Sequence, residues 1–452
     1  MDPSQPPPLF PRHERRQIES LPRNRPLAGC AAGSSPSSPS QSSRVDAFRL
    51  PAEPSPELPE DTLMTVFGTL EIPDLVRAGA VCTSWRSAYV TLRDLGKHKK
   101  SQTPCLLYTC ESAGENVACL YSLMEKRVYR LTLPDPPIRR RFIIGSSLGF
   151  LVTVDERSEM LLTNPITGEQ IALPPVTTIE HVKPIHDDRG AVYQFEISDI
   201  RNQDFLMPWT SDRCDLRNFL HFKAFVFYDT TTGSYIVALI HRPLDQLSFA
   251  RVGDDKWTWL PRHRLYHDCN YKDGLLYAVT SKGEIHAFDL TGPAITMKII
   301  SCLDEVDLGI CDVMYIVQAP WGDMLLVSRS RDIVDSELRV LNAAGMKLHK
   351  VDAGTMRLAE IDGLPDHVLF LGHNHSLCLS AKEYPALKGN HAYFTDDSKA
   401  ISGCKNIRRD IGVLDLGNNS NDDLVSPQLW SNWPAPVWIT PNLTTMKLAL
   451  PK

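Results

Sequence analysis

The feature that most constrains this fold is a long succession of short apolar runs, which begins near Thr103 and continues to the C-terminus. Runs such as CLLYTC, GFLVTVD, FKAFVFYD, SYIVALIH and HVLFLG are separated by Gly, Asp, Asn or Pro, and no long amphipathic helix interrupts them. Many short strands at regular spacing predict a sandwich, a barrel or a propeller. About 340 residues are too many for the first two and fit a β-propeller of six or seven blades, at roughly 40–50 residues each.

A weak internal repeat supports the propeller. The segments KDGLLYAVTSKGEIHAFDL, WGDMLLVSRS and PDHVLFLG place a glycine or an acid before an apolar strand, at Gly274, Gly322 and Asp366. The two intervals are 48 and 44 residues, which is the size of one blade. A last run, PVWITP, is expected to supply a strand near Val437 to Thr440 that completes the first or last blade, because a closed ring leaves no free sheet edge.

Two segments precede the β-rich region. Residues 1–56 contain 12 of the 34 prolines and a serine cluster, so they cannot bury enough apolar surface to offset the entropy of ordering. We expect this leader to be disordered. Helical periodicity then runs from Leu58 to about Leu95, and the predicted domains are a leader at 1–56, a helical module at 57–98 and a propeller at 99–452.

The helical module predicts three short helices. Pro59 suits the start of the first helix, where a missing N–H is not needed. Apolar residues at i, i+3, i+4 and i+7 form its stripe: Leu63, Val66, Phe67 and Leu70. Pro73 is expected to open a second helix that carries Leu75, Val76 and Ala80. Thr83 or Ser84 can cap a third helix with the apolar residues Trp85, Ala88, Tyr89 and Leu92. A core this small tends to need a partner.

These residues resemble an F-box. The likeness rests on L-P-E-D from Leu58, on the apolar pair Val66–Phe67 and on V-C-x-x-W from Val81. In that family three helices dock on a Skp-type adaptor, which connects them to cullin and RING subunits. The resemblance implies that ten residues carry either the adaptor contact or the core behind it: Leu58, Pro59, Leu63, Phe67, Leu70, Leu75, Val76, Val81, Cys82 and Trp85. Gly68 is a departure, and inside the first helix it would cost about 1 kcal/mol relative to Ala.

The β-rich region resembles a plant domain called domain of unknown function 295, which is regarded as a KIB-type β-propeller and commonly follows an F-box. The likeness runs through most of residues 105–445. It is carried by GSSLGFLVTVDE, LLTNPITGEQIALPP, KGNHAYFTDD, DIGVLDL and PAPVWITP. The resemblance implies the fold and the neighbouring domain but does not name a target protein.

Composition argues against several other classes. The net charge of −6 and the pI near 6.2 disfavour a general nucleic-acid binder. No apolar run approaches the roughly 18–20 residues of a membrane span, and the first residues lack the apolar stretch of a secretory signal. We therefore expect a cytoplasmic or nuclear protein with neither a membrane nor a nucleic acid as partner. The eleven cysteines lack zinc-site pairing and are expected to be mostly buried.

Candidate metal sites are weak. The sequence lacks the dinucleotide, phosphate-loop, zinc-protease and serine-hydrolase motifs, so no cofactor and no catalytic residue are predicted. His263 and His267 with Cys269 could bind a metal, and so could His373 and His375. Each group has fewer than the three or four converging ligands that a metal site needs. Residues in such groups are more commonly ordinary loop residues than metal ligands.

Other polar and aromatic candidates have structural readings as well. Asp396 and Asp397 could act as acid and base, but an acid pair after a strand is expected to tie a turn. Trp257 and Trp259 share one strand face and could grip a target, while packing between blades is the more common role. The basic runs at 97–100 and 139–141 could serve nuclear import or cover a solvated surface.

The sequence therefore predicts a multidomain α + all-β protein, a three-helix F-box followed by a propeller that binds an unknown protein substrate. The function implied is the non-catalytic substrate-recognition subunit of an SCF (Skp–cullin–F-box) ubiquitin ligase. One alternative is a non-degradative propeller that binds or inhibits a partner such as a kinase, as KIB-type relatives suggest. Another is a propeller hydrolase or sugar-binding protein, which would need acids or histidines facing the central channel.

Overall fold

The computed structural model describes residues 58–96, 98, 102–198, 200–201, 204–205, 208–261, 265–292, 294–301, 313–335, 340–352, 354–398, 405–443 and 446. All of these residues belong to one compact unit, residues 57–452. The leader at 1–56, expected to be disordered, lies outside the described residues. Within the described ranges, no helix is both long enough and apolar enough to cross a membrane.

The helical module contains α1 (Glu60–Phe67), α2 (Ile72–Ala78) and α3 (Thr83–Asp94). Two acidic residues lie in the first turn of α1, where they favour the positive helix end, and a proline lies in the first turn of α2. The hydroxyl of Thr91 donates a hydrogen bond of 2.8 Å to the carboxylate of Glu60, which joins the end of α3 to the start of α1. The three predicted helices are confirmed.

Three local predictions in this module were wrong. Gly68 lies just after α1 as its C-cap, so the penalty for glycine inside a helix does not apply. Ala80 is exposed and lies outside α2, because that helix ends at residue 78. Cys82 is the N-cap of α3 and makes no capping side-chain bond, so Thr83 and Ser84 are the first helical residues and not caps.

The strands and the fourth helix follow in chain order. Blade 1 begins with β1 (Cys105–Tyr108), β2 (Val117–Ser122) and β3 (Arg127–Thr132). Blade 2 contains β4 (Phe142–Ser147), β5 (Phe150–Val154), β6 (Met160–Thr163) and β7 (Gln170–Ala172). An insertion then forms β8 (Val182–His186), β9 (Val192–Ile197), β10 (Ile200–Arg201), β11 (Asp204–Phe205), β12 (Trp209–Ser211) and α4 (Arg213–Leu220).

Blade 3 contains β13 (His221–Asp229), β14 (Ser234–His241), β15 (Gln246–Arg251) and β16 (Thr258–Trp259). Blade 4 contains β17 (Tyr266–Lys272), β18 (Leu275–Thr280), β19 (Ile285–Asp289) and β20 (Thr296–Ser301). Blade 5 contains β21 (Val313–Gln318), β22 (Met324–Asp335), β23 (Val340–Asp352) and β24 (Arg357–Ile361). Blade 6 contains β25 (His367–Leu371), β26 (Leu377–Ser380), β27 (His391–Phe394), β28 (Gly412–Asp415) and β29 (Asn421–Asp423). The last strand, β30 (Val437–Ile439), returns to blade 1.

Neighbouring blades share apolar cores, because successive residues of a strand point to opposite faces of its sheet. In β13, Ala224 and Val226 pack towards blade 2, whereas Phe225 and Phe227 pack towards blade 4. Further cores join blade 4 to 5, 5 to 6, 6 to 1 and 1 to 2. The described strands therefore form a closed ring of six blades, within the predicted six or seven.

Strand β30 closes the ring, as the PVWITP run predicted. It pairs antiparallel with β1, with Cys105 opposite Ile439 and Leu107 opposite Val437. Trp438 enters the core between blades 6 and 1, while Val437 and Ile439 enter the core between blades 1 and 2. The strand therefore joins three blades and covers the inner edge of blade 1.

The predicted repeat holds for two of its three segments. Gly274 and Gly322 precede β18 and β22, which are the second strands of blades 4 and 5 and pair with the first strands. Asp366 precedes β25, which runs parallel to β27. The third segment therefore differs in topology from the other two.

One element was missed. Helix α4 is preceded by its N-cap Asp212, whose side chain accepts a hydrogen bond of 2.7 Å from the backbone N–H of Asp215. Its buried residues Leu216 and Leu220 join the core between blades 2 and 3. Eight residues are too few for helical periodicity to be distinguished from the neighbouring strand patterns.

The helical module packs against the propeller. Leu443, which follows β30, and Ile166, in the turn between β6 and β7, contact the core of the three helices. The guanidinium of Arg77 on α2 lies 5.7 Å from the centre of the Tyr129 ring on β3. The helices therefore use one part of their surface to join blades 1 and 2.

Candidate functional site

The ten residues assigned to the adaptor contact or its core fall into separate environments. Leu58, Pro59, Val81 and Cys82 are exposed, with 53% of Leu58 and 63% of Val81 accessible to solvent. Leu63, Phe67 and Leu75 are buried, and Leu70, Val76 and Trp85 are half-buried. Val66, which was part of the motif but not among the ten, is exposed at 49%.

The buried residues form the interior of the module. The Trp85 ring meets Phe67 edge-on, with ring centres 5.4 Å apart. Gly79 ends α2 against α3, and a Cβ at this position would lie 2.7 Å from the Tyr89 ring. Only glycine allows the two helices this close approach. Leu63, Phe67 and Leu75 therefore belong to the core of the module.

The exposed residues are a distinct group. We call Leu58, Pro59, Val66, Val81 and Cys82 the exposed F-box set. Four of the thirteen exposed large apolar side chains among the described residues lie at positions 58–95, a small fraction of the chain. Such a concentration of exposed apolar surface on a small module is typical of a protein-binding site.

The centre of the propeller contains buried ion pairs that the sequence analysis did not identify. The Lys223 Nζ lies 3.0 Å from a carboxylate oxygen of Asp268, and both side chains are fully buried. Asp268 also accepts hydrogen bonds from the hydroxyl of Ser376 at 2.7 Å and from the N–H of Ile316 at 3.1 Å. Lys223 and Asp268 follow register shifts in β13 and β17, which re-aim side chains within a strand.

A second buried group surrounds Asp397. Its carboxylate lies 3.2 Å from the guanidinium of Arg329 and 3.3 Å from that of Arg331, and it accepts a hydrogen bond of 2.9 Å from the Tyr315 hydroxyl. Burial opposes ionisation, but the two guanidinium groups hold the pKa of Asp397 well below its usual value. The prediction that Asp397 ties a turn was wrong, because the residue pairs across blades 5 and 6.

Its neighbour Asp396 follows the prediction more closely. Asp396 accepts a hydrogen bond of 2.8 Å from the N–H of Ser398, two residues on, as in a side-chain-stabilised turn. The same carboxylate lies 3.8 Å from the guanidinium of Arg409.

The segment from residue 372 to residue 376 crosses the channel. The N–H of His375 donates to the carbonyl of Ser146 in blade 2 at 2.7 Å, and Asn374 forms a parallel bridge with the same residue. On the other side, Ser376 contacts Asp268 in blade 4. Burial lowers the pKa of His373 to about 4. The backbone of His375 therefore joins this segment to the inner strand of blade 2, and the His373 ring lies buried against Phe222.

The remaining candidates have structural roles where they are described. No group of His, Cys, Asp and Glu able to hold a metal occurs among the described residues, and His263 lies outside them. Cys269 is buried in the core between blades 3 and 4. Trp257 packs between blades 2 and 3 and donates a hydrogen bond of 3.0 Å to the carbonyl of Pro174, so the packing prediction for Trp257 is confirmed.

The basic run at 139–141 divides into two environments. Arg139 and Arg140 lie 3.4 Å from Glu115, at the surface. Arg141 is buried and donates a hydrogen bond of 2.7 Å to the Thr153 hydroxyl, and burial lowers its pKa to about 10. The surface prediction was therefore wrong for Arg141.

Comparison with known proteins gives the family. Residues 120–415 match the KIB1-4 beta-propeller model, and residues 55–92 match the F-box-like model. The chain belongs to the KIB1-4 β-propeller family. With the second match, it is a plant-type F-box protein with a propeller domain, as both resemblances predicted.

Relatives of this KIB1-4 propeller protein are F-box proteins of Arabidopsis thaliana. F-box protein SKIP23 is 24% identical over 85% of this chain and 95% of its own length. A second protein, whose name gives its F-box assignment as provisional, is 24% identical over 80% of this chain and 91% of its own. The solved β-propeller domain of Myceliophteria thermophila Swd1 aligns with a TM-score of 0.27 and 10% identity, over 59% of this chain and 88% of that one, which is too low to bear on function.

F-box proteins in general are the substrate-recognition subunits of SCF ubiquitin ligases, and the F-box is the part that binds a Skp-type adaptor. They are typically adaptor subunits and not enzymes.

Proposed function

We propose that this protein is the substrate-recognition subunit of an SCF ubiquitin ligase, acts without catalytic residues of its own and works in the cytoplasm or nucleus. The exposed F-box set supports this role most directly. The core of the module is filled by its own residues and by Leu443 and Ile166, while Leu58, Val66 and Val81 remain available to a partner. A fluorescent fusion found in secretory compartments would contradict the proposed location.

The mechanism is one of placement. The exposed F-box set binds the Skp-type adaptor, which holds the chain on cullin and RING subunits, and the propeller binds the target protein. A lysine of the target then meets the ubiquitin-loaded conjugating enzyme at an effective concentration that reaches the order of millimolar for short linkages. Transfer is accelerated by proximity and orientation.

Co-expression with a Skp-type adaptor tests the proposal. The wild-type chain should co-purify with the adaptor, and the double variant Leu58→Ala/Pro59→Ala should lose most of it, because both positions are exposed. Trp85→Ala should also reduce capture, through loss of its contact with Phe67. Met356→Ala, at a turn of blade 5 where 46% of the side chain is exposed, is the matched control and should retain the adaptor.

Two readouts separate folding from binding. Circular dichroism and melting should be unchanged for Leu58→Ala/Pro59→Ala, while Trp85→Ala should lower stability. Retention of the adaptor by a folded Leu58→Ala/Pro59→Ala protein at the wild-type level would reject the proposed surface.

A further inference from the structure

Two cysteine side chains meet in blade 1. Cys119 lies on β2 directly opposite Tyr108, the last residue of β1. Cys110 follows Tyr108 by two residues in extended backbone, so the side chains of both point to the same face of the sheet. Both cysteines pack in the core between blades 6 and 1, and their thiols are close enough to hydrogen bond. Cys110 and Cys119 therefore form a pair, which we call the blade 1 dithiol.

The two thiols differ in their access to solvent. Both are free cysteines in the structure, but Cys110 is half-buried, whereas Cys119 is only 2% exposed. A small reagent from solution therefore reaches Cys110 first.

The two thiols also differ in acidity. The Cys110 Sγ lies 3.4 Å from the Ser112 hydroxyl oxygen. The hydrogen bond with Ser112, assisted by Cys119 and by the charge of Arg130, lowers the pKa of Cys110. Burial instead raises the pKa of Cys119 to about 11. Because a thiolate is the nucleophilic form of cysteine, Cys110 is the more reactive of the two, and Cys119 holds its proton in reserve.

The position of Cys110 allows the two sulfurs to come together. Diagonal neighbours in a sheet lie about 7–8 Å apart, slightly farther than a disulfide spans. The ladder between β1 and β2 ends at the pair of Tyr108 and Cys119, and the chain then forms a single 3₁₀ turn, Glu111–Ala113. Cys110 lies in this connection, beyond the last paired residue, so a small movement of the connection closes the gap.

The dithiol lies at the end of blade 1 away from the helical module. The N–H of Ser431 donates to the carbonyl of Thr109 at 2.8 Å, and the Thr109 hydroxyl donates to the carbonyl of Trp433 at 3.0 Å. Ser431 and Trp433 precede β30, whereas Leu443, which contacts the helices, follows it. The dithiol and the exposed F-box set are therefore at opposite ends of β30.

We propose that Cys110 and Cys119 are a peroxide-sensitive site that is oxidised to a disulfide. The Cys110 thiolate attacks one oxygen of hydrogen peroxide, the O–O bond breaks, and Cys110 becomes a sulfenic acid while the departing hydroxide is protonated to water. The Cys119 sulfur then attacks the Cys110 sulfur, the S–O bond breaks, and the hydroxyl leaves with the Cys119 proton as a second water. Two thiols are oxidised and one peroxide is reduced, and a small thiol reverses the link. The reaction is independent of the ligase function proposed above.

Peptide mapping of the oxidised full chain tests the site. The reduced chain is treated with hydrogen peroxide, alkylated and digested without reductant by trypsin and glutamyl endopeptidase, which cleaves after Glu111 and Glu115, between the two cysteines. Mass spectrometry should find the peptide of Cys110 linked to that of Cys119, with fragmentation that distinguishes Cys110 from Cys105, and dithiothreitol should remove the link. A Cys110 that stays reduced, or that is oxidised without this link, would overturn the proposal.

Three variants assign the two roles. In Cys119→Ala the sulfenic acid of Cys110 has no resolving thiol, so its trapping by dimedone should rise at least about fivefold over the wild-type chain. In Cys110→Ala, the buried Cys119 should remain reduced. Cys214→Ala removes an exposed cysteine of α4 and is the matched control, which should form the link as the wild type does.

Circular dichroism establishes which variants are folded, and the mapping of the wild-type chain decides the matter if Cys119→Ala does not fold. Equal dimedone labelling of Cys110 in the wild-type chain and in a folded Cys119→Ala would show that Cys119 does not resolve the sulfenic acid, and so would reject the site.

Discussion

Removal of the Trp438 side chain tests whether β30 holds the propeller closed. This side chain is 1% exposed and meets the rings of Phe370 and Tyr393, with centres 5.2 Å and 6.2 Å away. Burying an aromatic side chain of up to about 250 Å² at about 25 cal/mol per Å² gives an upper limit near 6 kcal/mol. Alanine retains part of this burial, so Trp438→Ala should lower the free energy of unfolding by about 3–5 kcal/mol.

Urea unfolding followed by circular dichroism measures this loss. Trp321→Ala is the matched control, because 46% of Trp321 is exposed and its main contacts are Asp323 and His367. We expect it to cost less than about 1 kcal/mol. Deletion of residues 434–452 removes β30 entirely and should abolish cooperative unfolding of the ring. A cost for Trp438→Ala within about 1 kcal/mol of the control would refute ring closure through β30.

Three further substitutions test the packing and the buried charges. Phe67→Ala should destabilise the F-box by about 3–5 kcal/mol, whereas the adjacent exposed Val66→Ala should cost less than about 0.5 kcal/mol, as hydrogen exchange of α1 would show. Asp397→Asn removes the nearer of the two carboxylates paired with Arg329, leaving Asp410 at 4.0 Å, and should cost about 3–5 kcal/mol in urea unfolding at pH 7; unchanged stability would contradict the ion pair. Burial lowers the pKa of His221, so the unfolded state binds the proton first; the contribution of His221 to stability is present above about pH 6.5 and falls by about 2 kcal/mol towards pH 5. His373 and His375, whose pKa values burial also lowers, act in the same direction, so His221→Gln should remove only the His221 share of the pH dependence.

Local sequence patterns predicted the fold well for those helices and strands whose own residues are sufficient to identify them. The three helices, the short strands and the role of PVWITP followed from periodicity, turn residues and length. The number of blades could not be fixed, because the three-stranded insertion of β8, β9 and β12 has the same strand pattern as a blade. Only the pairing of strands and the apolar cores between sheets distinguish the two.

The division of the F-box motif also required three dimensions. Val66 and Phe67 are adjacent apolar residues in one stripe, yet Phe67 is buried and Val66 is exposed. Helical spacing places both residues on one broad face of α1, but it does not show which part of that face α3 covers. The contribution of Leu443 to the helical core joins residues nearly 400 positions apart, and no local pattern carries it.

The buried ion pairs were missed although a signal was present. Lys223 lies in FKAFVFYD and Arg329 in DMLLVSRS, so each is a charged residue within an apolar strand run. Lysine and arginine are seldom buried without a partner. Their position within apolar strand runs could therefore have predicted buried ion pairs. Their partners, Asp268 and Asp397, belong to other blades, so the pairing itself depends on the closed ring.

The affinity of a purified Skp-type adaptor for the purified chain, measured by calorimetry, tests the central claim most directly. Val81→Arg places a charge at a residue that is 63% exposed, and Val128→Arg makes the same change at an exposed valine of the propeller. We predict that Val81→Arg weakens adaptor binding by at least about tenfold while Val128→Arg leaves it unchanged. Equal affinities for the two folded variants, or no measurable binding by the wild-type chain, would contradict the proposed ligase role.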